Sequence, residues 1–211
     1  MICSSAYLVF KEPIMNMFRS SLMILFLLTL MTGIAYPLFV TGIANVLFPA
    51  QSMGSLILQD SRVIGSSLIG QNYKNENYFF GRPSVTAETP YNSLASGASN
   101  LAISNPLLEQ QLTQRSTELK QHNPNGGSTI PEDLLTASSS GLDPHISVAG
   151  ALYQAPRVAK NRQLPLDKVK SLIAEHTQTP LFRFLGEPVV NVLELNIALD
   201  QYPWEANSQS H

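Results

Sequence analysis

Four histidines, His122, His145, His176 and His211, are the side chains best suited to acid–base or metal chemistry near neutral pH. A metal site needs three or four converging ligands, and the sharpest pairing here is Asp143-x-His145 with no second cluster to complete it. Asp143 precedes Pro144, the order of a helix N-cap followed by proline at the first helical position. Asp143 is therefore expected to cap a helix, with His145 an early-turn surface or packing residue. His122 falls in an expected loop and His211 is the last residue, so neither reads as a ligand. Ser138-Ser139-Ser140-Gly141 carries hydroxyls but no G-x-S-x-G elbow and no base partner. Neither G-x-x-x-x-G-K-[ST] nor G-x-G-x-x-G occurs. Ser96-Gly97-Ala98-Ser99-Asn100 reads as an ordinary turn before it reads as a phosphate cradle. Arg157, Lys160 and Arg162 lie at helical spacing and read as a solvated face first, an acidic-partner surface second. The residues alone argue for no catalytic group and no metal: the chain is not an enzyme on its own.

Whole-chain arithmetic narrows the class further. With 13 Lys+Arg against 15 Asp+Glu in 211 residues, there is no positive surplus to displace phosphate counterions, which argues against nucleic acid as a partner. The single cysteine, Cys3, rules out an internal disulfide framework and any multi-cysteine metal site. Only 13% of residues are charged, against about 25% in an ordinary soluble domain. The deficit is local: Ser20 to Gln59 is uncharged throughout, and its core Leu22–Val40 is apolar or aromatic at 15 of 19 positions. At about 1.5 Å per residue such a helix spans a bilayer's hydrocarbon, and it is longer than a cleaved signal peptide's apolar region.

The expected organisation is a short cytoplasmic tail over 1–19, a single membrane helix over 20–41 and an extracytoplasmic domain over 42–211. The basic residues Lys11 and Arg19 before the span, against Asp60 as the first charge after it, set that orientation. Cys3 would then sit on the reducing side. Within the span Thr29, Gly33, Pro37 and Thr41 recur at a spacing of four, continuing from Ser21 with Leu25 interrupting, and form a candidate face for a partner helix in the lipid bilayer.

Beyond the span, strands are expected at 55–59 and 62–65 around a turn at Asp60-Ser61, at Tyr78-Phe79-Phe80, and most clearly over 188–196. Helices are expected from Asn105-Pro106, with Leu108, Leu112 and Leu119 on one face. A second runs from Ile146 to about Ala155, ended or kinked by Pro156, and a third starts at Pro165 with Leu166, Val169, Leu172 and Ile173 as its buried stripe. A surface loop is expected over 122–128. Strands and helices mix without βαβ regularity, so the fold class is α+β, one N-terminal transmembrane helix followed by a mixed domain.

Read in order, the segments Leu30-Met31-Thr32-Gly33-Ile34-Ala35-Tyr36-Pro37-Leu38, Tyr78-Phe79-Phe80-Gly81-Arg82-Pro83-Ser84 and Ala95-Ser96-Gly97-Ala98-Ser99-Asn100-Leu101 form a recognisable series. Ser140-Gly141-Leu142-Asp143-Pro144-His145-Ile146-Ser147, Arg157-Val158-Ala159 and Gly186-Glu187-Pro188-Val189-Val190-Asn191 continue it. With this series the chain, from about Met17 to Asp200, resembles the C-subunit family of the Kdp-type potassium-transporting ATPase, a bacterial high-affinity uptake complex. Ala98 and Ser139 depart from the family's glycines, and translation from Met15 or Met17 instead of Met1 stays open.

The resemblance implies a non-catalytic accessory subunit in the inner membrane. Its partners would be a channel-like potassium-binding subunit and an ATP-hydrolysing P-type subunit, which handle potassium and ATP, with no cofactor bound directly. It further implies a role in assembly and as a catalytic chaperone that raises ATP affinity, indirectly if the domain lies outside. Arg82, Ser99, Asn100, Asp143, His145 and Arg157 fall in the matching segments and are candidates for partner contact or structural motifs. A stand-alone membrane-anchored binding or sensor protein is the competing expectation.

Overall fold

The computed structural model describes residues 4–59, 61–182, 184 and 186–202, with side chains from residue 15 onward. Cys3, Asp60 of the expected turn and His211 lie outside the described residues. The chain divides into two compact units, Met1–Ser55 and Leu56–His211.

The first unit is helical. Helix α1 (Ser4–Leu30) runs into a single wide π turn (Met31–Ala35) and on into α2 (Tyr36–Leu47), followed by the short α3 (Pro49–Ser52). Met15–Leu47 is a 33-residue stretch long and apolar enough to cross a membrane, and none of its apolar side chains is buried within the chain. At 1.5 Å per residue it measures about 50 Å, more than the roughly 30 Å of hydrocarbon.

The second unit is α+β. Strands β1 (Leu56–Gln59) and β2 (Arg62–Ser66) form an antiparallel hairpin whose register shifts between Ile57 and Leu58. Helix α4 (Pro106–His122) starts as its sequence dictates: the Asn105 side chain accepts the Leu107 N–H at 3.0 Å and Pro106 fills the first helical position. The short α5 (Glu132–Leu135) leads to a three-stranded antiparallel sheet in the order β3 (His145–Ser147), β5 (Val189–Asn191), β4 (Thr177–Gln178). Helices α6 (Val148–Asn161) and α8 (Val192–Asp200) pack with this sheet, and α7 (Leu166–Glu175) packs on α6 and α8. The core gathers Phe79, Ile146, Ala151, Ala155, Val158, Val169, Leu172, Ile173, Val190, Leu195 and Leu199. Of the four positions expected to form the inward stripe of α7, Val169, Leu172 and Ile173 are buried, whereas Leu166 at the start of the helix is 37% exposed. The half-buried Leu108, Leu112 and Leu119 sit on the inner side of α4.

Five expectations are overturned in whole or in part. Asp143 does not cap α6, nor does His145 lie in an early helical turn. His145–Ser147 pairs with Asn191–Val189 as β3, and Ser147 becomes the cap, its Oγ accepting the Gly150 N–H at 2.9 Å. Pro156 does not end α6, which continues to Asn161 on the strength of buried Ala155, Val158 and Ala159. The i−4 carbonyl that proline leaves without a donor belongs to the partly exposed Leu152. The apolar run 188–196 is strand only to Asn191. There the Asn191 carboxamide accepts from Leu193 and Glu194 N–H groups and turns the chain into α8. Tyr78–Phe80 is no strand, for a reason that belongs to the site below. In the 122–128 segment, His122 closes α4 and Asn123 is buried, so the loop's first residues are not a free surface.

One glycine is required by the packing. Gly141 has φ +68°, and a Cβ there would lie 2.5 Å from the Thr86 methyl and 2.8 Å from the Gly97 carbonyl oxygen. Gly141→Ala combines left-handed backbone cost with overlap against main chain. A loss of about 2–4 kcal/mol is expected, read as a lowered urea midpoint by circular dichroism.

Candidate functional site

Two polar frameworks and the cleft beside them hold the motif residues of the second unit. The first framework fixes residues 76–80. Phe79 is fully buried, yet its backbone has no strand partner. Instead Asn196 of α8 accepts the Phe79 N–H at 2.9 Å and donates Nδ2 to the Phe79 carbonyl at 3.0 Å. Gln154 of α6 does the same for Phe80, accepting its N–H at 2.8 Å and donating to its carbonyl at 3.1 Å. Two side-chain amides thus stand where a neighbouring strand would, which is why a strand-like triplet forms no strand.

Arginines extend the clamp. Arg157 donates Nε to Asn123 Oδ1 at 2.8 Å, one terminal nitrogen to Gln154 Oε1 at 2.9 Å and the other to the Glu76 carbonyl, and its guanidinium lies 4.0 Å over the Phe80 ring. Arg162 donates to the Asn77 and Leu199 carbonyls at 2.7 and 3.0 Å and to Asp200 at 2.7 Å. The expected solvated face is therefore corrected: Arg157 and Arg162 are buried and only Lys160 of the trio is exposed. Burial pushes the Arg157 guanidinium down to about 10, partly opposed by the Glu76 charge.

The second framework draws three sequence motifs together. Arg82 pairs with Asp143 at 3.2 Å, and the other Asp143 oxygen accepts the His145 N–H at 3.0 Å and lies 3.3 Å from His145 Nδ1. Asp143 is thus a turn-forming carboxylate two residues ahead of its donor, not a helix cap. Ser84 Oγ donates to the Gly141 carbonyl and accepts the Tyr91 N–H, while the Tyr91 hydroxyl donates to the Arg82 carbonyl at 2.6 Å. The Gly97 N–H and Ser96 hydroxyl both donate to the Ser140 carbonyl, so the 96–100 turn is tied to residues 140–141. Ser99 is half-buried there, and Asn100 is exposed with φ +50°.

Between α4 and the 71–91 segment lies an open cleft of about 490 Å³, lined by Tyr73, Lys74, Arg82, Arg115 and His122 among others. Arg115 donates to the Leu135 carbonyl at 2.8 Å, and His122 Nδ1 lies 2.9 Å from Glu76, which that hydrogen bond holds below the usual carboxylate range. Among the described residues no group of three His, Cys, Asp or Glu is placed to hold a metal ion.

Asp143 gives a pH prediction. Burial pushes its carboxyl up, but hydrogen bonds from the His145 side chain and N–H, together with the Arg82 charge, outweigh this and leave it below the usual value. A depressed folded pKa contributes stability that is present above the unfolded carboxylate range and lost as pH falls through the folded value. Asp143→Asn should flatten the fall in urea midpoint on acidification below about pH 4, relative to wild type; an unchanged acid slope contradicts the assignment.

In the membrane unit, Thr29, Gly33, Pro37 and Thr41 are all exposed along the helix. Pure α-helix at a spacing of four drifts about 40° per step. The wider π turn, which contains Gly33, takes back part of that drift.

The frameworks bring together Arg82, Asp143 and His145, and separately Arg157 with Glu76, Asn123 and Gln154. Gln154, Asn196 and Tyr91 escaped the sequence reading, and Arg162 entered it only as part of a solvated face. Only Asn196 left a signal, a lone amide inside the apolar face of Leu193, Leu195 and Leu199.

A family model for the K+-transporting ATPase, c chain (KdpC), matches residues 18–201. The chain is 56% identical over 186 residues to the potassium-transporting ATPase KdpC subunit of Yersinia enterocolitica, covering 88% of this chain and 93% of that one. It is 55% identical to the KdpC subunit of Polaromonas naphthalenivorans (88% and 94% covered) and 51% identical to that of Photorhabdus laumondii (88% and 96%). A match over nearly the whole chain, at more than half identity, leaves one conclusion: this chain belongs to the KdpC family of potassium-transporting ATPase c chains.

Proposed function

We propose that this chain is the accessory, non-catalytic subunit of a bacterial potassium-transporting ATPase. Its helix is anchored in the inner membrane, its N-terminus is cytoplasmic and its α+β domain is periplasmic. It contacts the channel-like potassium-binding subunit and the ATP-hydrolysing subunit, supports their assembly and raises the ATP affinity of the latter. The effect on ATP is indirect: the domain favours a conformation of the complex that binds nucleotide better.

The observation that carries this reading is the use to which the domain puts its buried cations. Arg157 and Arg162 are consumed in holding residues 76–80, the half-buried Arg82 pairs with Asp143 through one terminal nitrogen, and no phosphate-binding loop sequence accompanies them. Lys11 and Arg19 before the span support the orientation.

The test uses the reconstituted transporter in proteoliposomes. Omitting this chain should raise the ATP concentration giving half-maximal hydrolysis, and an azido-ATP photolabel should mark the hydrolysing subunit alone. Label on this chain that ATP competes away, at the Lys74–Arg115 cleft above all, replaces the indirect reading with direct nucleotide contact. Recovery of this chain by itself from mildly solubilised membranes favours the stand-alone binding protein.

A further inference from the structure

The π turn leaves a hydrogen-bonding fault in the middle of the membrane helix. The Tyr36 N–H bonds the Met31 carbonyl, five residues back, and not that of Thr32. The next residue, Pro37, has no N–H to give. The Thr32 carbonyl therefore receives a backbone donor neither from i+4 nor from i+5, and the Gly33 carbonyl loses its i+4 donor. The local hydroxyl does not repair the fault, because a hydroxyl answers a carbonyl only as a donor and Thr32 Oγ1 donates to the Leu28 carbonyl at 2.7 Å. Approach is open: at Gly33 nothing lies within 4 Å of where a Cβ would stand. On the same four-residue line, the side chains of Thr29, one turn before Gly33, and Thr41, two turns after it, are described and make no hydrogen bond, whereas Ser21 donates to the Met17 carbonyl.

In water this costs little. In hydrocarbon an unanswered carbonyl is costly, so membrane helices keep such faults where a neighbouring helix, a Ser or Thr hydroxyl or an ordered water supplies the donor. We propose that the Thr32 and Gly33 carbonyls are a docking point for a transmembrane helix of another subunit of the transporter. That helix presents an N–H or O–H side chain at this depth, and Thr29 and Thr41 exchange hydrogen bonds with it on either side. The inference rests on the subunit reading above, and adds to it the chemistry of the partner: a donor-bearing helix packed over Gly33 and Pro37, not an apolar one. A c chain has non-identical companions, and they are the source of that helix.

A 13C=18O label at the Thr32 carbonyl, introduced by ligating a synthetic membrane segment into the full chain, reads the bond directly by infrared spectroscopy. The band should move to lower frequency when the chain is incorporated with its partner subunits, relative to the chain alone in phosphatidylcholine–phosphatidylglycerol vesicles. In parallel, Pro37→Ala returns an N–H to the ladder. It should weaken association with the partners about threefold to twentyfold, the span of interhelical hydrogen bonds in lipid, while Leu38→Ala on the exposed helix surface leaves association unchanged. An intact complex with an unshifted Thr32 band overturns the proposal. So does a low-frequency band already present in the chain alone: if it grows with protein density a second copy is the donor, and if not, water or lipid is. Failure of the complex to form with the unlabelled wild-type chain contradicts the subunit reading instead, and is scored separately.

Discussion

Replacing Arg162 by methionine is expected to destabilise the second unit by about 3–4 kcal/mol, a large share of the 5–15 kcal/mol that holds a domain of this size. The side chain is 1% exposed, and its guanidinium serves three acceptors from three parts of the chain: the Asn77 carbonyl, the Leu199 carbonyl at the end of α8, and Asp200. Methionine keeps much of the volume but gives nothing to the two carbonyls. Each buried acceptor left alone costs about 1–3 kcal/mol. Asp200 contributes less to the loss, because it is nearly half exposed and water takes over its solvation. Arg162→Lys should recover only part, since one ammonium cannot reproduce the planar fork that spans all three acceptors. The measurement is urea unfolding of the full chain in mild detergent, followed by circular dichroism, with hydrogen exchange across 76–80 as the local readout. A methionine variant within 1 kcal/mol of wild type would show that the clamp is dispensable.

This clamp also marks where the sequence stopped being legible. The membrane span, the hairpin at 56–66, the Asn105-Pro106 start of α4 and the inward stripe of α7 depend on residues adjacent in the chain or spaced along one element, and they form where local chemistry places them. The errors share a different cause. Asp143-Pro144 has the local form of a helix start, but His145–Ser147 finds a partner in Val189–Asn191, more than forty positions away, and pairing outweighs the cap. Tyr78–Phe80 has strand composition, yet the donors and acceptors that satisfy it come from side chains 74 to 117 residues distant. Charge spacing made Arg157 and Arg162 look like a wet face because period alone does not say which side of a helix is covered. The candidate site was legible as a set of segments; that Arg82, Asp143 and His145 would meet, apart from Arg157, was not.

The amide of Asn196 permits a test in which the stability change should depend on pH for one substitution and not for another. Its oxygen accepts from the Phe79 N–H and its nitrogen donates to the Phe79 carbonyl, at a residue 1% exposed. Asn196→Leu removes both bonds, leaves a buried peptide unit unanswered and should cost about 2–4 kcal/mol, by an amount that hardly varies between pH 7 and pH 4. Asn196→Asp behaves differently. Ionised, the new carboxylate still accepts from the Phe79 N–H, but it faces the Phe79 carbonyl with no proton to give and carries a buried charge, so the loss at pH 7 should exceed that of leucine. Protonated, it regains one acceptor and one donor, the pattern of the amide it replaced. Burial and the facing carbonyl raise the folded-state pKa above the unfolded carboxylate value of about 3.9. The folded variant then binds the proton first, and its stability relative to wild type should climb as pH falls through the raised folded value, until the unfolded chain also protonates. Unfolding free energies of wild type, the leucine variant and the aspartate variant, taken at half-unit steps from pH 7 to pH 4, decide it. Parallel curves for the two variants would mean that Phe79 is held by packing alone and that the amide in the apolar face of α8 is incidental.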